Sequence, residues 1–260
     1  MKRSQVFLFF YIAAPLLLVA RVLQRFYMID AATGFYRDGL AAAGTAVTVL
    51  FVAFPLVARL LCRLSRPVER RFPTPSGPLA IGAFFAALCL AVETVRTLLT
   101  GSGAVSFLVA FLSAVFAACL VLRGLAALEI VRSSDWLAPV GTFYAGVRLV
   151  VHFAAFAGEV TVADTLFSIL SMCLLALFFF ADGKMQVGLA DEKVASSFFA
   201  FGLSAALFCA AIVLPDLIDM ILGGKFVLYG GDFPDLSSLG FLVLTLCAVF
   251  SARPPLDNNE

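Results

Sequence analysis

Long uncharged apolar runs recur along this chain and constrain its fold more than any other feature. No Asp, Glu, Lys or Arg interrupts positions 39–58, 72–92, 97–122 or 194–215. About 18 such residues suffice for a helix to cross the hydrocarbon core. In lipid, only helices and closed barrels satisfy every backbone N–H and C=O. At 62% hydrophobic, 13% charged and a mean hydropathy of +1.05, the 260-residue chain lies far from a soluble domain, in which about a quarter of residues are charged.

The pattern predicts an all-α, polytopic transmembrane bundle of about eight spans: Val6–Tyr27, Leu40–Leu61, Leu79–Leu99, Ala104–Leu122, Leu137–Ala157, Thr165–Ala181, Ser197–Leu214 and Ser238–Ala252. Turn pairs Thr33-Gly34 and Asp38-Gly39, the prolines between Ser65 and Pro78, and the glycine pairs between Gly223 and Ser238 punctuate the connections. No gap holds a separate soluble domain, so residues 1–260 are expected to form a single membrane domain. Pro215 leaves open whether Leu217–Leu222 continues the seventh helix. Lys2-Arg3 before an apolar run resembles a signal peptide, but no small-x-small site follows promptly, so the first helix is expected to be retained.

With a cytoplasmic N-terminus, twelve of the eighteen basic residues fall on the inner side, Arg59, Arg63, Arg66, Arg70, Arg71 and Arg123 among them. Positive-inside then places both termini in the cytoplasm. A formal charge of +1 gives no bulk field for nucleic acid, and none is expected as a partner. The lipid bilayer is the expected partner, and the sequence does not specify an oligomeric state. Six scattered cysteines without a C-x-x-C pair read as small apolar residues rather than a zinc or disulfide framework.

Charge within the spans is the main functional signal. The even-numbered spans carry none in their apolar runs, whereas the odd-numbered ones hold Arg21 and Arg25, Glu93 and Arg96, and Arg148 with His152. All odd helices run outward, so these groups gather between the midplane and the outer surface. Each pair is three or four residues apart and shares a helix face, which Tyr144 extends on the fifth helix. Gly82, Ala86 and Cys89 continue the Glu93–Arg96 stripe with small residues that should meet other helices.

Arg21, Arg25 and Arg96 lie near the outer ends, where long side chains can snorkel. Arg148 sits at mid-span, where an unpaired guanidinium costs at least about 2.5–3.5 kcal/mol, which demands a partner or a water-filled cavity. Arg96 is the expected intrahelical partner of Glu93, and Arg148 a candidate interhelical one. His152, the single histidine, cannot build a metal cluster, and neither metal nor cofactor is expected.

The candidate ligand-binding set is therefore Arg148, His152, Tyr144, Glu93, Arg96, Arg21 and Arg25, forming an outward-facing pocket. It should be net positive unless acids such as Asp216, Asp219 or Glu159 fold in. Guanidinium groups suit carboxylates and phosphates, so the expected ligand is a small anionic or amphiphilic solute, or a lipid head group. The competing reading is a scaffold or complex subunit whose charges only lock helices. An intramembrane enzyme ranks third. Gly202-Leu-Ser204-Ala and Glu93-Thr-Val-Arg96 approach intramembrane-protease motifs but lack the partner residues, so no catalytic residue is assigned. Phosphate-binding glycine loops and selectivity-filter runs are absent.

The stretch Arg21-Val-Leu-Gln24 through Asp30-Ala-Ala-Thr33-Gly34-Phe35-Tyr36 is similar to one found in uncharacterised multi-pass membrane proteins of Gram-positive bacteria, after their first helix. The resemblance implies a bacterial plasma membrane and brings no activity with it.

Overall fold

The computed structural model describes residues 3–30, 35–64, 76–101, 103–132, 135–156, 162–189, 191–223 and 235–252. These form eight α-helices: α1 Arg3–Leu23, α2 Ala41–Leu64, α3 Gly77–Thr100, α4 Ala104–Ala127, α5 Val140–Phe156, α6 Val162–Gln186, α7 Glu192–Gly223 and α8 Leu236–Ser251. A π-helical turn, Gln24–Met28, extends α1, and a 3-10 turn, Asp135–Leu137, precedes α5. Seven of these helical segments are long and apolar enough to cross a membrane, so the protein is a multi-pass helical membrane bundle. The sixteen residues of α8 would span only about 24 Å of a core about 30 Å thick, and length alone does not make it the eighth span.

The predicted helices form where the sequence places them, but several run further. α4 and α6 each continue about one turn past their uncharged runs, taking in Arg123 and Asp182, and α6 also begins early enough to take in Asp164. The even-numbered helices are therefore not free of charge. α7 passes through Pro215 to Gly223, so Leu217–Leu222 does continue the helix. Proline removes one ladder hydrogen bond there, a loss that neighbouring helices can compensate in a packed bundle.

Outward-facing side chains such as Leu16, Leu56, Ile81, Phe111 and Val150 are exposed and apolar, as on a surface facing lipid. With apolar groups on both sides, close backbone approach decides which faces meet. A Cβ on Gly82 would lie 2.6 Å from Cys247 Cβ, and one on Gly240 would lie 3.0 Å from Cys89 Cβ and 3.1 Å from Ala86 Cα. The small-residue stripe of α3 thus meets another helix, as its spacing predicted, and that helix is α8. The bundle is completed by α4 and α8 on α3, by α5 on α6, and by α1, α2, α6 and α8 on α7.

Polar contacts fix the helix directions. The C-terminal end of α1 meets the start of α6 through Arg21, Arg25 and Asp164, and α5 meets the start of α8 through Arg148 and Ser237. At the opposite end, α4 meets the end of α6 through Arg123 and Asp182, and α2 meets the start of α7 through Arg59 and Ser196 at 2.7 Å. The C-terminal ends of the odd-numbered helices are thereby gathered at one end of the molecule, which carries the candidate site.

Candidate functional site

Arg21 sits in the last turn of α1 and is 3% exposed. It does not snorkel. Its guanidinium donates to Gln24 Oε1 at 2.7 Å, to the Ala211 carbonyl of α7 at 3.4 Å, and to Asp164. It also lies 4.2 Å from the Phe167 ring centre, a cation–π contact in a low-dielectric setting. Arg25 donates to the second Asp164 oxygen, so one carboxylate on the first turn of α6 serves two guanidiniums.

Gln24 is fully buried, and its amide holds this arrangement to α2. It donates to the Gly44 carbonyl at 2.7 Å, to Thr48 Oγ1 at 2.9 Å and to the Tyr36 hydroxyl at 3.1 Å. The chain then widens into the π turn, where Ile29 N–H donates to the Gln24 carbonyl at 3.1 Å. Such turns concentrate at functional sites. An antiparallel bridge between Ile29 and Tyr36 folds the connection back, setting the Tyr36 ring on Gly44, where a Cβ would come within 2.3 Å of it. Arg21, Gln24 and Tyr36 of the resembling stretch therefore belong to one hydrogen-bonded unit, while Thr33 and Gly34 lie outside the described residues.

Arg148 lies at the middle of α5. Its hydrogen bond is a long one, 3.4 Å to Ser237 Oγ, and among the described residues no ion pair joins it to Glu93. Ser237 is in turn held by Asp235, which caps α8 by accepting from the Ser237 and Ser238 N–H groups at 3.0 and 3.3 Å and from both hydroxyls. Glu93 does face Arg96, but at 4.0 Å, and its buried Oε2 accepts no hydrogen bond among the described residues.

These groups surround one cavity of about 400 Å³. Arg21, Arg25, Glu93, Arg96, Arg148 and His152 all line it, together with Asp164, Ser168, Ile212, Pro215, Asp216 and Asp235. The volume would hold on the order of ten waters, and lies in the range of small-molecule sites. Tyr144 is the expected residue that the cavity leaves out. It is 2% exposed, shares a 3.3 Å hydrogen bond between its hydroxyl and Ser113 Oγ, and stacks on Phe116 at 4.6 Å.

Four guanidinium groups face four carboxylates, which formally cancel and correct the expected net positive charge. Asp216 folds in as allowed, Asp219 does not line the cavity, and Glu159 lies outside the described residues. The decisive additions are Asp164 and Asp235, which the sequence reading missed. Both stand just before apolar runs and read as loop residues. Asp235-Leu-Ser-Ser is nevertheless a helix-start signal, and an acid in a first turn is placed by the helix dipole.

The opposite end provides a contrast. Arg123 Nη1 and Nη2 donate to Asp182 Oδ2 and Oδ1 at 2.6 and 2.8 Å, and Gln186 Nε2 donates to Oδ2 at 2.8 Å. Only about 30 Å³ remains open beside them. Arg123, counted from the sequence among the inner-side basic residues, is mostly buried in this pair.

Comparison with protein-family models, with curated proteins and with solved structures finds no match to this chain.

Proposed function

We propose that this multi-pass membrane protein binds, and in doing so moves or senses, a small anionic or amphiphilic solute in the cavity at the C-terminal ends of its odd-numbered helices. The observation that carries this reading is the convergence of Arg21, Arg25, Arg96, Arg148, Glu93, Asp164, Asp216, Asp235 and His152 on one open volume. Arginine and carboxylate side chains are costly at membrane depth, and there they mark solute or ion pathways. Arg148 is the principal anchor. Among the described residues its guanidinium has one long hydrogen bond, to a hydroxyl, and retains forked donors for a carboxylate or phosphate. The bacterial plasma membrane is the proposed location, with the cavity facing outward and both termini cytoplasmic, as the basic bias of the inner connections supports.

A scaffold reading is favoured locally by the Arg21–Gln24–Asp164 network, which ties α1, α6 and α7 together. It does not account for Arg148, whose donors are left largely unused. The two readings separate on a thermal-shift measurement of the purified protein with acetate, inorganic phosphate and glycerol phosphate. Binding predicts that at least one raises the melting temperature, that Arg148→Lys weakens the shift, and that Arg148→Met abolishes it while the ligand-free protein melts nearly as before. No shift from any of the three, with Arg148→Met strongly destabilised, would establish the scaffold instead.

A further inference from the structure

A second opening lies on the membrane-facing side of the bundle. α1 and α8 both pack on α7, and between them runs a groove of about 220 Å³. Its walls are apolar apart from the Tyr11 hydroxyl. Alanines at 14, 206 and 210 leave the space that larger side chains would fill. On α1 it extends from Phe10 to Leu18, about 12 Å along the helix axis.

The groove and the charged cavity lie in sequence along the same three helices, with the buried Arg21–Ala211 contact between them. Leu18 lines the groove, and Arg21, three residues on and on the same face of α1, lines the cavity. On α7, Leu207, Ala211 and Pro215 form one stripe. Leu207 lines the groove, the Ala211 carbonyl receives Arg21 Nε, and Pro215 lines the cavity. On α8, Asp235 lines the cavity, and Leu242, two turns later on the same face, lines the groove. Three helices thus pass from groove to cavity along a shared direction, and Asp216, next to Pro215, brings charge to the α7 end.

We propose that groove and cavity form one site for an amphiphile, a single apolar chain bearing a carboxylate or phosphate head. The chain lies across α7 between α1 and α8, and the anionic head enters the cavity toward Arg148. A groove open to lipid, running about 12 Å along α1 with alanines at 14, 206 and 210 leaving its space, suits an extended hydrocarbon better than a compact apolar ring. A free anion could use the cavity but would leave the groove without a role. This inference rests on the reading of the cavity as an anion site, and specifies the class of molecule it takes.

Photo-cross-linking in lipid nanodiscs tests it with two probes, a long-chain fatty acid and a long-chain alkyl phosphate, each with a mid-chain diazirine. Mass spectrometry of the adducts should place them on residues 10–18, 203–210 and 242–250. The probe that labels identifies the head group. Labelling there should fall by about tenfold or more in Arg148→Gln, the size expected for losing a charge-assisted hydrogen bond. It should fall similarly in Ala210→Phe, which fills the groove. Ala14→Phe provides the same test on α1 if the α7 variant fails to accumulate. Adducts spread evenly over the lipid-facing helices, indifferent to these variants, would overturn the proposal. If soluble anions still raised the melting temperature through Arg148 in that case, the cavity reading would survive without the groove. If they did not, both would fall.

Discussion

The two ends of the bundle use the same chemistry, arginine against carboxylate, and build different objects from it. At the α4–α6 end, Arg123 and Asp182 meet in a bidentate pair whose side chains are 14% and 2% exposed, and Gln186 occupies part of the remaining acceptor capacity. Little space is left beside them. At the other end, charged groups from five helices and the α8 cap stand around about 400 Å³, and Asp164 is the carboxylate there engaged by two guanidiniums. Among the described residues, Arg148 and Glu93 keep unused donors and acceptors. Charges that lock helices satisfy one another and exclude space. On the proposed reading, the charges around the cavity are held apart by their own helices so that a solute can complete the set.

That contrast ranks the expected effects of substitution. The largest falls on the closed pair: Arg123→Met strands Asp182 in a dry setting and should lower unfolding free energy by about 3–5 kcal/mol, measured by denaturation in mixed micelles. Asp164→Asn comes next. It strips Arg21 of its counter-charge but leaves it the Gln24 and Ala211 acceptors, so a loss of about 1–3 kcal/mol is expected. A loss as large as that of Arg123→Met would place Arg21 and Asp164 with the locking charges rather than with the site. The smallest effect belongs to Glu93→Gln. Because its buried Oε2 accepts no hydrogen bond among the described residues and Arg96 is 4.0 Å away, stability should change by less than about 1 kcal/mol. A loss of several kcal/mol would show that Glu93 is a locking charge too.

Much of this was legible in the sequence. The uncharged runs dictated the helices, and the pairs at three- and four-residue spacing dictated which charges share a face. Arg21, Glu93, Arg96, Arg148 and His152 do line one cavity. What escaped was the position of charges at helix ends. Asp164, Asp182 and Asp235 sit beside apolar runs, where an acid can equally be a solvated loop residue, and only the packing of one helix against another decides. The depth of Arg21 escaped for the same reason. Its distance from the span end allowed snorkelling, but Phe167, Gln24 and Asp164 supply a buried environment that no periodicity on α1 could reveal. Tyr144 shares the Arg148 face by spacing, yet its ring turns to Phe116 and its hydroxyl to Ser113, beneath the cavity rather than in it.

The central claim is that one end is open and hydrated while the other is closed. The most direct test compares two thiols in the same protein. Ser168 lines the cavity, and native Cys119, 7% exposed, lines the small space beside Arg123 and Asp182. In lipid nanodiscs, where a water-soluble thiosulfonate reagent reaches both faces, the thiol introduced by Ser168→Cys should be modified far faster than Cys119. Equal rates at the two positions, or a Ser168→Cys thiol as inert as Cys119, would contradict the account.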